Sequence, residues 1–332
     1  MVDSGVADFK PYVHSDCGGD YRPKHGGDLL RWTAHCAFGT IHRFHGSDHR
    51  PWTYGPHVED VIRQYLNMRY KLLPSFIAAG HHATVAGFPL AVRCDLFWPS
   101  HAEAKSNHQY LSLNDTLVAP IWDDHRGNGS NSSTRSVWVP PGSWMDAWSG
   151  AIIKGPKTIS VTQPYEQQPM WHNHNGGLVV LTDKPGLRVE EGDWSSLTLE
   201  AFPSAGNKIT HKSVFSRGHA KRTDLHFATD GRGGATLDVD AAEDGGARAW
   251  VLRLHLLPGQ KVTAAFVDGA VLANVKHIAP RSTPHAAPHS GPFGGEGAAD
   301  PSEAGHVAEV KLPSKAGARR VRVTIGTDGS IL

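Results

Sequence analysis

The sequence predicts an α/β segment followed by an all-β remainder. Residues 12–87 alternate short apolar runs with stretches of helical spacing, as parallel strands joined by crossover helices do. From residue 88 the helical spacing stops. β-rich runs separated by Gly, Pro, Asn and Ser then recur at intervals that suit antiparallel sandwiches. A chain of 332 residues is long enough for two or three such parts.

The first extended run, Pro11-Tyr-Val-His, ends at Asp16-Cys-Gly-Gly. A polar, Gly-rich turn follows, and Asp28–Phe38 takes helical spacing through Leu29, Trp32 and Cys36. Gly39–His45 reads as a second strand. From Pro56, the positions Val58, Val61, Ile62, Tyr65, Met68, Leu72, Leu73 and Phe76 hold a 3.6-residue period, as in one helix of about five turns. Pro56 suits its first turn, and Gly87 lies just past its end. Two such units leave both sheet edges unpaired, so this segment needs more sheet beside it.

Strand-like runs then follow at Leu90–Cys94, Tyr110–Leu113, Thr116–Ile121, Ser136–Val139, Thr158–Thr162 and Leu178–Leu181. A second series opens at Val189–Ser195 and continues through Leu197–Ala201, Ser213–Phe215, Asp224–Thr229, Ala235–Val239, Ala249–Leu256 and Lys261–Val267. Residues 279–305 are rich in Pro, Gly, Ala and His and read as a disordered loop. Alternation returns in Arg319–Ile325.

The formal net charge of +1 argues against a dedicated nucleic-acid or anionic-membrane surface. No apolar run approaches a membrane span, and Met1–Lys10 lacks the basic-then-apolar pattern of a signal peptide. Three cysteines do not suggest a disulfide scaffold or a four-thiolate zinc site. Sequons at Asn114, Asn128 and Asn131 would matter only in the secretory pathway, so the compartment stays open.

Barrel enzymes place chemistry at the C-terminal ends of their parallel strands. Two segments stand there: His14-Ser-Asp16-Cys-Gly-Gly-Asp20 and Arg43-Phe-His45-Gly-Ser-Asp48. Carboxylates and imidazoles suit the vicinal hydroxyls of a sugar, and the glycines let backbone approach a ligand closely. Asp and Gly are also ordinary turn formers, so local pattern alone leaves both readings open.

The wider set of motifs resembles glycoside hydrolase family 31. It comprises His14-Ser-Asp-Cys-Gly-Gly, Leu30-Arg-Trp-Thr-Ala-His-Cys-Ala-Phe, Arg43-Phe-His-Gly, Arg50-Pro-Trp, Met68-Arg-Tyr-Lys-Leu-Leu-Pro and Gly87-Phe-Pro-Leu. Asn114-Asp-Thr-Leu-Val-Ala-Pro and Val139-Pro-Pro-Gly-Ser-Trp-Met-Asp-Ala-Trp-Ser-Gly complete it. The resemblance implies the seventh and eighth units of a (β/α)8 TIM barrel over residues 1–87. A proximal C-terminal β-sandwich over 88–185 and a distal one over 186–332 would follow.

It also implies retaining hydrolysis of α-linked glycosides without a cofactor. Asp16 matches the family's sugar-binding aspartate and His45 its sugar-binding histidine, with Arg43 and Asp20 beside them. Asp20 stands where the family usually has an aromatic residue, and Cys17 where it usually has an aliphatic one. Both departures make the site more polar, so the glycone need not be glucose.

Retaining glycosidases use two carboxylates about 5–5.5 Å apart. In the family these follow the fourth and sixth strands, which places both upstream of Met1. Asp16, Asp20 and Asp48 do not lie in the family's tryptophan–aspartate nucleophile motif. The expectation is therefore a chain that grips sugar, carries neither nucleophile nor acid/base, and is inactive alone. Its partners would be an α-glycoside and its own N-terminal half. The alternative is a non-catalytic carbohydrate-binding or partner-associated β-sandwich protein.

The 22 histidines show no helix-borne His-Glu-x-x-His pattern, so no metal is expected. Trp144, Trp148 and Trp171 have the chemistry of sugar platforms, but large aromatics more often fill cores.

Overall fold

The computed structural model describes residues 26–45, 50–121, 132–216, 221–243, 246–272, 275–278 and 306–327. They fall into two compact units. One draws on residues 1–69, 79–142 and 154–171, the other on 70–78, 143–153 and 172–332.

Three helices open the described chain: α1 (Gly26–Ala37), α2 (Pro56–Lys71) and α3 (Leu73–Ala86). The single long helix expected from the apolar period is thus two helices. Pro74 sits in the first turn of α3, where its missing N–H costs least, and it would break a ladder running through from α2. Gly87 ends α3 as expected: its φ is +71° and its N–H bonds the Ala83 carbonyl at 2.9 Å. Gly39–His45 is not a strand; it keeps one isolated bridge at Ile41 and is otherwise irregular. The Pro11–His14 strand and the 279–305 loop lie outside the described residues.

The first β-sheet holds β1 (Ala91–Val92), β2 (Tyr110–Ser112), β3 (Thr116–Val118), β4 (Ser132–Asp146), β5 (Ile152–Pro164) and β6 (Met170–Asn173). Their order is β1-β2-β3-β6-β4-β5. The β2–β3 turn puts Leu113 at φ +54° and Asn114 at φ +68°, a conformation Asn tolerates better than most residues. Asp146 makes the β4–β5 turn: its Oδ1 accepts from the Trp148 and Ser149 amides at 2.9 and 2.8 Å. The Asp-Ala-Trp-Ser-Gly motif is therefore a turn closed by its own carboxylate, with Gly150 at φ +74°.

Eleven strands follow: β7 (Gly177–Lys184), β8 (Asp193–Phe202), β9 (Asn207–Phe215), β10 (Arg222–Asp230), β11 (Gly234–Val239), β12 (Arg248–His255), β13 (Gln260–Val267), β14 (Ala270–Val271), β15 (Lys276–Ile278), β16 (Val307–Lys315) and β17 (Arg319–Thr327). They form a five-stranded sheet, β15-β16-β12-β8-β7, and a six-stranded one, β14-β13-β17-β11-β10-β9. The pairing is mostly antiparallel, with one parallel pair between β8 and β12. β7 pairs with β8, so the five-stranded sheet takes in residues 177–184, ahead of the boundary expected at 185.

One core lies between the two sheets. Leu197, Leu199 and Ala201 alternate inward from β8, meeting Leu225, Phe227, Leu237, Val321 and Val323 from the facing sheet. The period of two that marked these strands in sequence is this burial. The other face of the five-stranded sheet is charged. There Arg253 Nη1 reaches Glu200 Oε1 and its Nε reaches Glu309 Oε2, both at 3.1 Å. His255 Nε2 donates to Glu200 Oε2 at 2.6 Å, and Phe202 stacks on the His255 ring with centroids 4.4 Å apart.

Candidate functional site

Of the four expected sugar-binding residues, Arg43 and His45 are described and Asp16 and Asp20 lie outside the described residues. Arg43 is exposed and His45 half-buried, on the irregular stretch after Ile41, with His45 Nε2 shielded from solvent. Arg43 and His45 therefore share one segment. Asp48 also lies outside the described residues.

Arg69, on α2, holds the turn that leads into that segment. Its Nη1 donates to the Ala37 and Gly39 carbonyls at 2.9 and 2.7 Å, and more weakly to Cys36 at 3.4 Å. Its Nη2 donates to the Thr40 carbonyl at 2.9 Å. A helix end leaves carbonyls without intrahelical partners and carries partial negative charge. The guanidinium answers both needs at the end of α1 and directs the chain into Ile41–His45. A Lys ammonium, a compact point charge without the rigid fork, would not match this spread of acceptors.

Two further bonds fix the same corner. Tyr110 Oη donates to the His35 carbonyl at 3.1 Å, and Ser112 Oγ to the Phe38 carbonyl at 2.9 Å. His42 packs edge-on against Phe44, with centroids 5.0 Å apart. Burial, then the nearby Arg69 charge, lowers His42 to about 4; burial lowers His35 to about 4. Burial favours the neutral form of both imidazoles, and the Arg69 charge adds to this at His42.

The rest of the unit is braced around α1 and α2. Tyr65 Oη donates to the Glu166 carbonyl and accepts from the Gln168 amide, each at 2.8 Å. The Arg31 guanidinium lies 4.3 Å over the Tyr165 ring, within cation–π range. Cys36 is disulfide-bonded, which the sparse, odd set of cysteines did not suggest. Cys94 is a buried free thiol, pushed up to about 12 by burial.

Trp144 and Trp171 are each 1% exposed, so they are core and not sugar platforms. Among the described residues, no group of three or more His, Cys, Asp or Glu is placed to hold a metal ion. No helix there is long and apolar enough to cross a membrane. Arg69 is the site residue that sequence reasoning passed over. Its signal was present as the arginine of Met68-Arg-Tyr-Lys-Leu-Leu-Pro, a charge set beside the buried face of a helix.

The glycosyl hydrolases family 31 TIM-barrel domain matches residues 4–79, and the family 31 C-terminal domain matches residues 89–177. Alpha-glucosidase 2 of Bacillus thermoamyloliquefaciens is 27% identical over 214 residues, covering 63% of this chain and 25% of that protein. The 1,6-alpha-glucosyltransferase of Sporosarcina globispora is 24% identical over 267 residues, covering 75% and 20%. The chain thus spans about a quarter or less of these relatives. Among solved structures, the Flavobacterium johnsoniae GH31 dextranase superposes with a TM-score of 0.65 at 21% identity, over 90% of this chain and 37% of that one. The catalytic subunit in an ER glucosidase II heterodimeric complex gives 0.73 at 21%, over 97% and 35%. Both likenesses concern the fold.

Proposed function

We propose that this chain, which belongs to glycoside hydrolase family 31, is the sugar-gripping end of a retaining α-glycosidase. Its first 87 residues would be the closing barrel units, followed by a proximal and a distal C-terminal β-domain. Asp16, Asp20, Arg43 and His45 would bind the glycone, with Arg69 holding the segment that carries the last two. The nucleophile and the acid/base would come from barrel segments other than those spanned here.

The observation that carries this reading is the Arg69 clamp. An arginine in a family motif bonds the Gly39 and Thr40 carbonyls, which lead directly into the segment on which two expected sugar ligands lie together. Binding groups held this way pre-pay the entropy of orienting a sugar. They do not replace a carboxylate pair, whose loss removes nearly all of the rate.

The test is hydrolysis of a panel of nitrophenyl α-glycosides by the purified chain. The expected outcome is release of nitrophenol no faster than in buffer. Saturable turnover by this chain alone would overturn the assignment of the carboxylates elsewhere.

A further inference from the structure

The outer face of the six-stranded sheet carries a pair of histidines that the glycosidase reading does not use. The register of β9 against β10 sets His211 directly opposite His226. Their neighbours Val214, Leu225 and Phe227 point into the core, so both imidazoles stand on the solvent side. The two Nδ1 atoms face each other at 2.6 Å, with the rings edge to face at 79°. On the far side of His226, Nε2 lies 3.3 Å from Asp240 Oδ2.

That carboxylate settles the tautomer. His226 donates a hydrogen bond from Nε2–H to Asp240, which leaves a lone pair on Nδ1 aimed at His211. His211 fills the gap by donating from its own Nδ1. One proton is therefore held between two nitrogens. If His211 moves its proton to Nε2, two lone pairs converge on one point.

We propose that His211 and His226 form a two-imidazole chelate for a divalent transition-metal ion of the zinc and copper class, with Asp240 orienting His226 from behind. Neutral imidazole is the ligand that suits these ions, and a carboxylate on the far ring nitrogen is the usual outer partner of a metal-binding histidine. A tetrahedral ion with bonds of about 2.0–2.1 Å holds two ligand nitrogens about 3.3 Å apart. The pair opens by well under an ångström to reach this, and His211 is exposed enough to swing.

Nearby charges leave the position to the cation. Asp238, opposite His226 on β11, is bound by Arg320, whose Nη2 lies 3.0 Å from Asp238 Oδ2. Asp224 is taken up by Arg222 at 3.1 Å and by Ser213 at 2.6 Å. No third protein ligand joins the pair among the described residues, so water completes the shell and the ion exchanges readily. This is an open, surface coordination site on the distal β-domain.

Titration of the whole chain with Zn²⁺ and with Cu²⁺ at neutral pH, followed by calorimetry, tests this. Other histidines bind weakly, so the decisive comparison is between variants. The expected result is one saturable site, tighter for Cu²⁺ than for Zn²⁺. Asp240→Asn should weaken it by about tenfold. His211→Ala and His226→Ala should each abolish it, with circular dichroism unchanged because both side chains lie on the surface. Retention of the site in either alanine variant would overturn the proposal, as would wild-type titrations with no saturable component.

Discussion

Arg69 and Arg253 are both partly buried arginines, yet they meet different partners. Arg69 donates to backbone carbonyls at a helix end. Arg253 lies between two carboxylates, Glu200 and Glu309, whose side chains are 5% and 7% exposed. The first arrangement ties down the turn that follows a helix. The second is a charge network in which each member depends on the others. A partly buried arginine fixes a turn between helix and loop in one unit and ties strands together in the other, and its partners tell which.

Breaking the Arg253 network should have the largest effect. Arg253→Met removes the cation shared by two buried carboxylates and should cost about 3–5 kcal/mol in urea unfolding. A cost below about 1 kcal/mol would mean that water already solvates the pair.

The pH dependence has two limbs of different origin. Burial pushes Glu200 up, but the hydrogen bond with His255 and the nearby His255 and Arg253 side chains outweigh it and hold the carboxyl at about 2. Its folded value lies below the ordinary 4.5, so the stability it contributes is complete above that pH and is lost as pH falls toward 2. His35, His42 and His174 are lowered from 6.5 to about 4, burial being the first cause in each. For these the unfolded chain binds protons that the fold refuses, so stability drops earlier, as pH falls from 6.5 to 4. Urea midpoints measured across pH should show both limbs. Glu200→Gln should flatten the lower limb and leave the upper one in place.

Arg69→Gln should be milder globally and sharper locally. Hydrogen bonds from a charged donor contribute about 1.5–3 kcal/mol in all such cases, and water replaces part of them here. Exchange of the amides of residues 39–45 should accelerate with a loss of about 1–3 kcal/mol overall. Equal acceleration throughout the β-strands would instead make Arg69 a general stabiliser. The smallest effect belongs to Gly87→Ala. The added methyl meets nothing within 4 Å, but φ +71° strains it, for a cost of about 1 kcal/mol.

These contrasts also explain what could be read in advance. Period-two burial made β8, β10, β11, β12 and β17 visible, because one face of each enters the core. Motif order made the barrel segment and the first β-domain recognisable. The missed features depend on contacts between distant residues. Val307–Lys315 was passed over as a strand because Pro313 interrupts its run and it follows a Pro- and Gly-rich stretch. Its pairing with β12 makes it one. The α2–α3 break came from Pro74, whose apolar neighbours kept the helical period intact across it. In the candidate site, Arg43 and His45 are expected from their motif, and the structure sets them on one segment. The clamp was not legible, because Arg69 lies 30 residues from Gly39 in sequence and nothing local announces the bond.

The most direct test is to supply this chain with the barrel segments it would complete. Co-expression with a polypeptide carrying the preceding family 31 barrel segments should yield α-glycoside hydrolysis that neither chain shows alone. His45→Ala in this chain should then reduce kcat/KM by about 10- to 100-fold, the worth of one well-placed hydrogen bond to the sugar. Full activity with His45→Ala, or hydrolysis by this chain unassisted, would contradict its assignment as the sugar-gripping end of a divided catalytic site.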